Sequence, residues 1–171
     1  GHKGQQFLVR AIPRVVEIIP GVRFFIVGKG ELLAELKALA ASLEITRELV
    51  FTGFRSDVGA FYKIADLFVM SSVQEGLGTA VLDALAEGKA VVATDCGGIP
   101  EIIRDGETGR LVEPANPEAL ARGIIDALRH PEAARQMADR GRAQVQNRFS
   151  IETMAENNLA VYRMLLSAED P

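Results

Sequence analysis

Glu75 and Asp83, with the glycine-rich turn between them, are the residues whose types and spacing could do chemistry in this chain. The stretch Gln74-Glu75-Gly76-Leu77-Gly78-Thr79 separates an apolar run, Leu67–Met70, from residues with helical apolar spacing through Ala86. The pattern predicts a buried strand emptying into a helix through a flexible loop. The first N–H groups of such a helix carry the positive end of its dipole, and glycines beside them let a ligand approach the backbone. An anion, most often a phosphate, is the natural guest. Along a helix the eight-residue separation of the two carboxylates spans at most ~12 Å, the scale of a sugar, a diphosphate and a ribose in a row. Carboxylates suit sugar hydroxyls because they accept several charge-assisted hydrogen bonds. On spacing alone, an equally good reading makes Glu75 a solvated loop acid and Asp83 a surface residue of an amphipathic helix.

The elements that must position these residues alternate along the chain. A helix is predicted from Gln5 to about Ile19, with Pro13 expected to kink it, because proline removes a backbone donor and crowds the preceding turn. Val22–Val27 reads as a central parallel strand and delivers Gly28-Lys29-Gly30 before a helix over Glu31–Leu43. Leu49–Gly53 reads as a strand, and Ser56 with Asp57 is placed to cap a helix running to about Ala65. Leu67–Ser72 and Ala90–Thr94 are the strands on either side of the central helix. A short helix begins near Pro100 and reaches Arg104, and Arg110–Val112 is a short strand. Three helices close the chain, over 117–128, 131–148 and from Ser150 onward, with Asn116, His130 and Ser150 near their starts. The last, placed at 150–168, carries Ile151, Met154, Leu159, Tyr162 and Leu166 on one stripe, expected to pack against its own domain. Alternation of this kind predicts an α/β fold with a Rossmann-like open parallel sheet of about six strands and helices on both faces. Ligands of such sheets sit at the carboxyl ends of the strands, where Gly30, Phe54, Glu75 and Gly97 all fall.

Bulk properties agree with one domain over 1–171. The 171 residues are 48% hydrophobic and 25% charged, enough for a packed core. A formal charge of −4 implies no basic surface for nucleic acid. The single cysteine, Cys96, builds no disulfide framework and favours a reducing, cytoplasmic compartment. No run of eighteen or more apolar residues is present, and no signal-peptide pattern opens the chain; peripheral contact at the cytoplasmic membrane face stays open. The opening Gly1-His2-Lys3-Gly4, with no methionine and no strand before the first helix, reads as the start of a fragment. Gly28-Lys29-Gly30 is weak evidence for a nucleotide, since any tight strand-to-helix turn benefits from glycine, and Leu33 occupies the third position of G-x-G-x-x-G. His2 reads as structural or incidental, His130 as a linker residue between helices, Cys96 as a small buried or half-buried thiol, and Glu101 as a helix-starting acid.

Taken together, E-G-L-G-T-A-V-L-D-A-L-A-E-G-K-A-V-V-A-T-D-C-G-G-I-P-E-I-I, H-K-G-Q and F-I-V-G-K-G-E resemble the carboxyl-terminal domain of retaining glycosyltransferases of family 4. These are GT-B enzymes that use nucleotide-sugar donors. The resemblance runs from Lys3 to the final helix and implies the donor-binding half of a two-domain enzyme, with the acceptor, a glycan, lipid or small molecule, held mainly by the other half. By position it makes Glu75 the acid that contacts donor-sugar hydroxyls, with the backbone of Gly76 and Leu77 beside it. Amides around Gly78 and Thr79 would meet the distal phosphate. Lys3 matches the family lysine that neutralises the diphosphate, a role needing no metal, and the backbone near Arg55 matches the turn that reads the base. Asp83 stands where the family has its second glutamate, the ribose ligand, and is one methylene shorter. The family's arginine partner to this lysine would precede Gly1, so an isolated domain is expected to bind weakly and turn nothing over. Kept beside this are a non-catalytic α/β nucleotide-binding or signalling module, and a GT-B relative such as a glycogen synthase or a sugar-nucleotide epimerase.

Overall fold

Successive residues along each strand point to opposite sides and residues two apart to the same side, and this periodicity organises the molecule. A computed structural model describes residues 2–167. Its strands are β1 (Phe24–Val27), β2 (Leu49–Gly53), β3 (Leu67–Met70), β4 (Ala90–Thr94) and β5 (Arg110–Val112). On β4, Ala90 and Val92 join one core cluster, while Val91 and Ala93 join a second. On β3, Leu67 and Val69 pack toward the first, and Phe68 and Met70 toward the second. Helices cover both faces, as an α/β fold requires. The first cluster holds residues of α1 (Gln5–Ile18), α2 (Leu33–Ser42) and α6 (Pro117–Arg129). The second holds residues of α4 (Thr79–Ala86) and α5 (Ile99–Ile102), with Val145 from α7 (Pro131–Arg148).

All strand pairs are parallel. Five strands are present among the described residues where about six are expected, and they form two hydrogen-bonded groups, β1–β2 and β3–β4–β5. No described segment pairs with the free edges of β1 and β3, so the predicted single sheet is divided at that line. Pro13 does not interrupt α1. The helix α3 (Val58–Ile64) starts after Asp57, but Asp57 gives it no side-chain cap, because Arg55 engages its carboxylate through two hydrogen bonds of 2.8 and 2.7 Å. Asn116 does cap α6, accepting from the Ala119 N–H at 3.0 Å.

The last helix, α8 (Ile151–Ser167), departs from expectation. None of its residues is buried. Ile151, Met154, Leu159, Tyr162 and Leu166 are between 50% and 76% exposed, so their stripe does not pack against this domain. The two core clusters are built from α1, α2, α4, α5, α6, α7 and the strands, and no residue of α8 is among their buried members. Position 168 lies outside the described residues.

Candidate functional site

β3 ends in two buried serines, Ser71 and Ser72. The chain then turns through Glu75 and reaches Gly78, which precedes the first residue of α4 at φ 85° and ψ 51°. This left-handed backbone suits glycine, which has no Cβ to clash. Gly78 provides no side-chain cap for α4. The first-turn N–H groups are among the four that a helix start leaves without an intrahelical partner. Gly76, Leu77 and Thr79 are exposed beside them.

Lys3 reaches this loop from the turn before α1. Its Nζ donates to Glu75 Oε2 at 2.8 Å, and Ser72 Oγ donates to the same oxygen at 3.0 Å. The Glu75 side chain is 12% exposed and that of Lys3 45%. Burial is the largest single influence on the Glu75 carboxyl and pushes its pKa up. The hydrogen bonds from Lys3 and Ser72, the Lys3 charge and the Gly76 N–H together outweigh it and hold the group below its ordinary value. Glu75 is therefore held as a carboxylate.

The loop is clamped from behind. Gly98 N–H donates to Gly76 O at 2.7 Å. A Cβ on Gly97 would lie 1.8 Å from Glu75 O, and one on Gly98 would lie 2.5 Å from Gly76 O. Two glycines after β4 thus let its loop press directly on the backbone that carries Glu75. Thr94 Oγ1 donates to Ser72 O at 2.5 Å, tying the end of β4 to the end of β3.

The structure brings together Lys3, Glu75, Gly76, Leu77, Gly78 and Thr79 at the carboxyl end of β3. Asp83 lies one turn further along α4, exposed. Its charge bears on Tyr62, whose hydroxyl pKa is raised by burial first and then by the charges of Asp83 and Glu87. Arg55 stands beyond the end of β2, and its side chain is occupied by Asp57 and by the Phe61 ring 5.7 Å away.

Sequence reasoning missed Ser72 and Thr94. The signal was a pair of small hydroxyl residues ending an apolar strand, where burial demands a hydrogen-bond partner. Cys96, expected to be buried or half-buried, is half-buried, with Sγ 3.3 Å from Ser72 O. Glu101 is exposed in the first turn of α5.

Comparison with known proteins extends this geometry. The family model for glycosyl transferases group 1 matches residues 1–144. The chain is 35% identical over 161 residues to a putative glycosyltransferase, EpsD, of Bacillus subtilis strain 168, covering 94% of this chain and 42% of that protein. It is 36% identical over 150 residues to a GDP-mannose-dependent alpha-(1-6)-phosphatidylinositol monomannoside mannosyltransferase of Mycolicibacterium smegmatis, covering 82% of this chain and 39% of that protein. The chain thus spans less than half the length of these curated relatives. Among solved structures it is similar to Anabaena Alr3699/HepE in complex with UDP and glucose, with TM-score 0.86 and 27% identity over 97% of this chain and 45% of that one. It is also similar to the C-terminal domain of a group 1 family protein, LpcC, from Francisella tularensis, with TM-score 0.80 and 27% identity over 88% of this chain and 81% of that one.

Proposed function

The chain belongs to the glycosyl transferases group 1 family, and from that premise we propose that it is the donor-binding half of a retaining glycosyltransferase. Its fold is that of a Rossmann-like half of a GT-B enzyme. One observation carries the reading: a carboxylate held by Lys3 and Ser72 lies beside the uncapped start of α4, at the carboxyl end of β3.

In this reading the distal phosphate of a nucleotide-diphosphate sugar rests on the amides of Gly78 and Thr79, where the helix dipole favours negative charge. Glu75 accepts from the sugar hydroxyls, with the exposed backbone of Gly76 and Leu77 alongside. Lys3 exchanges part of its pairing with Glu75 for the diphosphate and offsets the charge that develops as the nucleotide leaves. Asp83 accepts from the ribose hydroxyls, and the backbone at Arg55 meets the base. These roles assign no step to a metal ion.

The transfer breaks the bond between the anomeric carbon and the phosphate oxygen and forms one from that carbon to the acceptor oxygen on the same face. The acceptor proton passes to the departing phosphate. Glu75 positions the sugar in this scheme and forms no bond to it. The acceptor, a glycan, a lipid or a small molecule, is met through the rest of the full-length protein, on the cytoplasmic side. The ligands and donor named for the relatives, UDP with glucose and GDP-mannose, support a nucleotide-sugar and leave the base to experiment.

Thermal denaturation with UDP-, GDP- and ADP-sugars tests the proposal. A ligand at 100 times its Kd stabilises the folded state by about 2.7 kcal/mol, which at roughly 2–4 °C per kcal/mol is about 5–11 °C for a domain of this size. One base is expected to stand out. Asp83→Ala should weaken that stabilisation, and Asp83→Glu should keep or increase it. Absence of a shift with every nucleotide-sugar, or an unchanged shift in Asp83→Ala and Glu75→Ala, overturns the assignment of the site.

A further inference from the structure

Ser71 and Ser72 follow β3 directly, and both are buried, at 5% and 0% exposure. A buried hydroxyl left without a partner costs free energy, so each of the two needs a hydrogen bond inside the protein. Their bonds go to different members of one ion pair. Ser71 Oγ donates to the main-chain oxygen of Lys3 at 3.2 Å, and Ser72 Oγ donates to the side chain of Glu75, at Oε2, at 3.0 Å.

The Ser72 hydroxyl has one proton and two acceptors in reach, Glu75 Oε2 and Met70 Sδ at 3.4 Å. A carboxylate is the far stronger acceptor and takes the proton. Ser72 is itself fixed from the next strand. Its carbonyl oxygen accepts from Thr94 Oγ1 at 2.5 Å and from Cys96 Sγ at 3.3 Å, and Thr94 is 2% exposed. Lys3 shares the same oxygen of Glu75, at 2.8 Å, but its side chain is 45% exposed on a long flexible stem. Of the two side chains on Oε2, one is anchored and one is free to turn away.

We propose that Ser72 is a positioning residue of the donor site, holding Glu75 Oε2 in place for the sugar hydroxyls while Lys3 turns to the diphosphate. The inference rests on the donor-binding reading above and adds to it a residue that touches no substrate. One hydroxyl uses only part of what the carboxylate can accept, about four positions, and the rest stays open to the sugar. The same bond, with the Gly76 N–H, keeps the group a carboxylate once the charge of Lys3 is drawn off; Lys3 is the one charged group among the described residues that acts on it. Thr94 serves Ser72 as Ser72 serves Glu75, so the order runs from the end of β4 through the end of β3 to the acid.

The test compares Ser72→Ala, Ser71→Ala, Glu75→Ala and the Ser72→Ala/Glu75→Ala double variant in the 171-residue chain. UDP-glucose against UDP, and GDP-mannose against GDP, are titrated by calorimetry. The pKa of Glu75 is followed by NMR through its carboxyl carbon, whose signal is assigned by its loss in Glu75→Ala. Ser72→Ala is expected to raise that pKa and to weaken the nucleotide-sugar about five- to tenfold relative to its nucleoside diphosphate. Ser71→Ala removes a buried hydroxyl that does not touch the carboxylate, so the pKa and the ratio of the two affinities should stay as in the parent. On the Glu75→Ala background, Ser72→Ala should move the ratio no further, because its effect runs through the acid. Thr94→Val, which frees the Ser72 carbonyl and leaves its hydroxyl, should move the ratio in the same direction by less, and it carries the test if Ser72→Ala does not fold. An unmoved ratio or an unmoved pKa in Ser72→Ala, equal changes in Ser71→Ala, or a further loss on the Glu75→Ala background overturns the proposal. A parent chain that binds none of the four nucleotides overturns the donor-binding reading and this proposal with it, whereas failure of the proposal alone shows as a parent that binds and a Ser72→Ala variant that binds alike.

Discussion

Around α4 and β4, Val81, Ala84, Leu85, Val92 and Ile99 have no exposed surface, whereas on the β1–β2 side Phe54 and Ile64 are 67% and 71% exposed and α3 buries no residue at all. Both regions offer strand ends and glycines to the same edge of the molecule. The dense region holds Glu75 and the start of α4, and there the loop after β4 presses backbone on backbone through Gly97 and Gly98. The open region holds Arg55 and the end of β2. Donor groups aimed at a diphosphate must be fixed before the ligand arrives, because reorganising them on binding costs affinity. A surface that meets only a base through backbone can be looser and can vary. Under the proposed donor-binding reading, the difference teaches that the half assigned to the phosphates is built for alignment and the half assigned to the base for adaptation.

Gly97→Ala against Gly53→Ala is the sharpest way to break that comparison. Both glycines have positive φ, 55° and 70°, so each alanine pays a left-handed penalty of about 1–2 kcal/mol. Only at Gly97 does the new Cβ collide with backbone, at 1.8 Å from Glu75 O, while Gly53 has nothing within 4 Å. Gly97→Ala is expected to cost more than about 4 kcal/mol and to remove nucleotide-sugar stabilisation. Gly53→Ala should lower Tm by roughly 2–8 °C. Similar melting temperatures for the two variants would show that the dense loop relaxes as readily as the open one.

Next in size is Leu85→Ala against Ile64→Ala. Leu85 is fully buried and Ile64 is 71% exposed. Urea denaturation should show a loss of about 2–5 kcal/mol for Leu85→Ala and a change within about 0.5 kcal/mol for Ile64→Ala. A large loss at Ile64 would mean that the open half is covered in solution.

Much of the dense half is legible in the sequence, and the reason is local. Ala90–Thr94 is an apolar run between turn residues, and the structure forms a strand with those bounds, while the strand read over Leu67–Ser72 forms and ends at Met70. Asn116 announces α6 through a cap that depends on three neighbouring residues. Gly97-Gly98 signals close packing, and the structure shows which backbone is approached. Other features depend on partners distant in the chain and are silent in periodicity. The Asp57 side chain looks like a cap, but Arg55 takes it. The stripe on α8 has core-like spacing, which says that a face is apolar and not what covers it. Ser72 gives no motif, because its role exists only once Glu75 folds back over it. The division of the sheet is the clearest case, since each strand is correctly marked by its own residues while pairing is decided by the neighbour.

The smallest expected effect concerns two acid–base pairs, one in each region. Glu75 with Lys3 lies in the dense half and Asp57 with Arg55 in the open half, and both carboxyls are held below their ordinary values. For Glu75, burial opposes ionisation, but hydrogen bonds from Lys3 and Ser72 and the Lys3 charge prevail. For Asp57 the main cause is the hydrogen bond from Arg55. A carboxyl with a depressed folded-state pKa binds fewer protons folded than unfolded. Its stabilisation is therefore complete above the unfolded glutamate value of about 4.3 and is lost as pH falls through the lower folded-state value. Lys3→Met removes one hydrogen bond and the charge, leaving Ser72 and the Gly76 N–H. The Glu75 pKa should rise, and the variant should lose less stability than the parent between pH 7 and pH 3. Lys3 is nearly half exposed, so the difference is expected to stay below about 1 kcal/mol. Arg55→Met should leave the pH dependence almost unchanged, because water screens a fully exposed pair. Urea denaturation of the three proteins at both pH values decides the matter. If Arg55→Met flattens the pH dependence as much as Lys3→Met does, burial at Glu75 does not distinguish the two regions, and the contrast drawn from packing fails where charge is concerned.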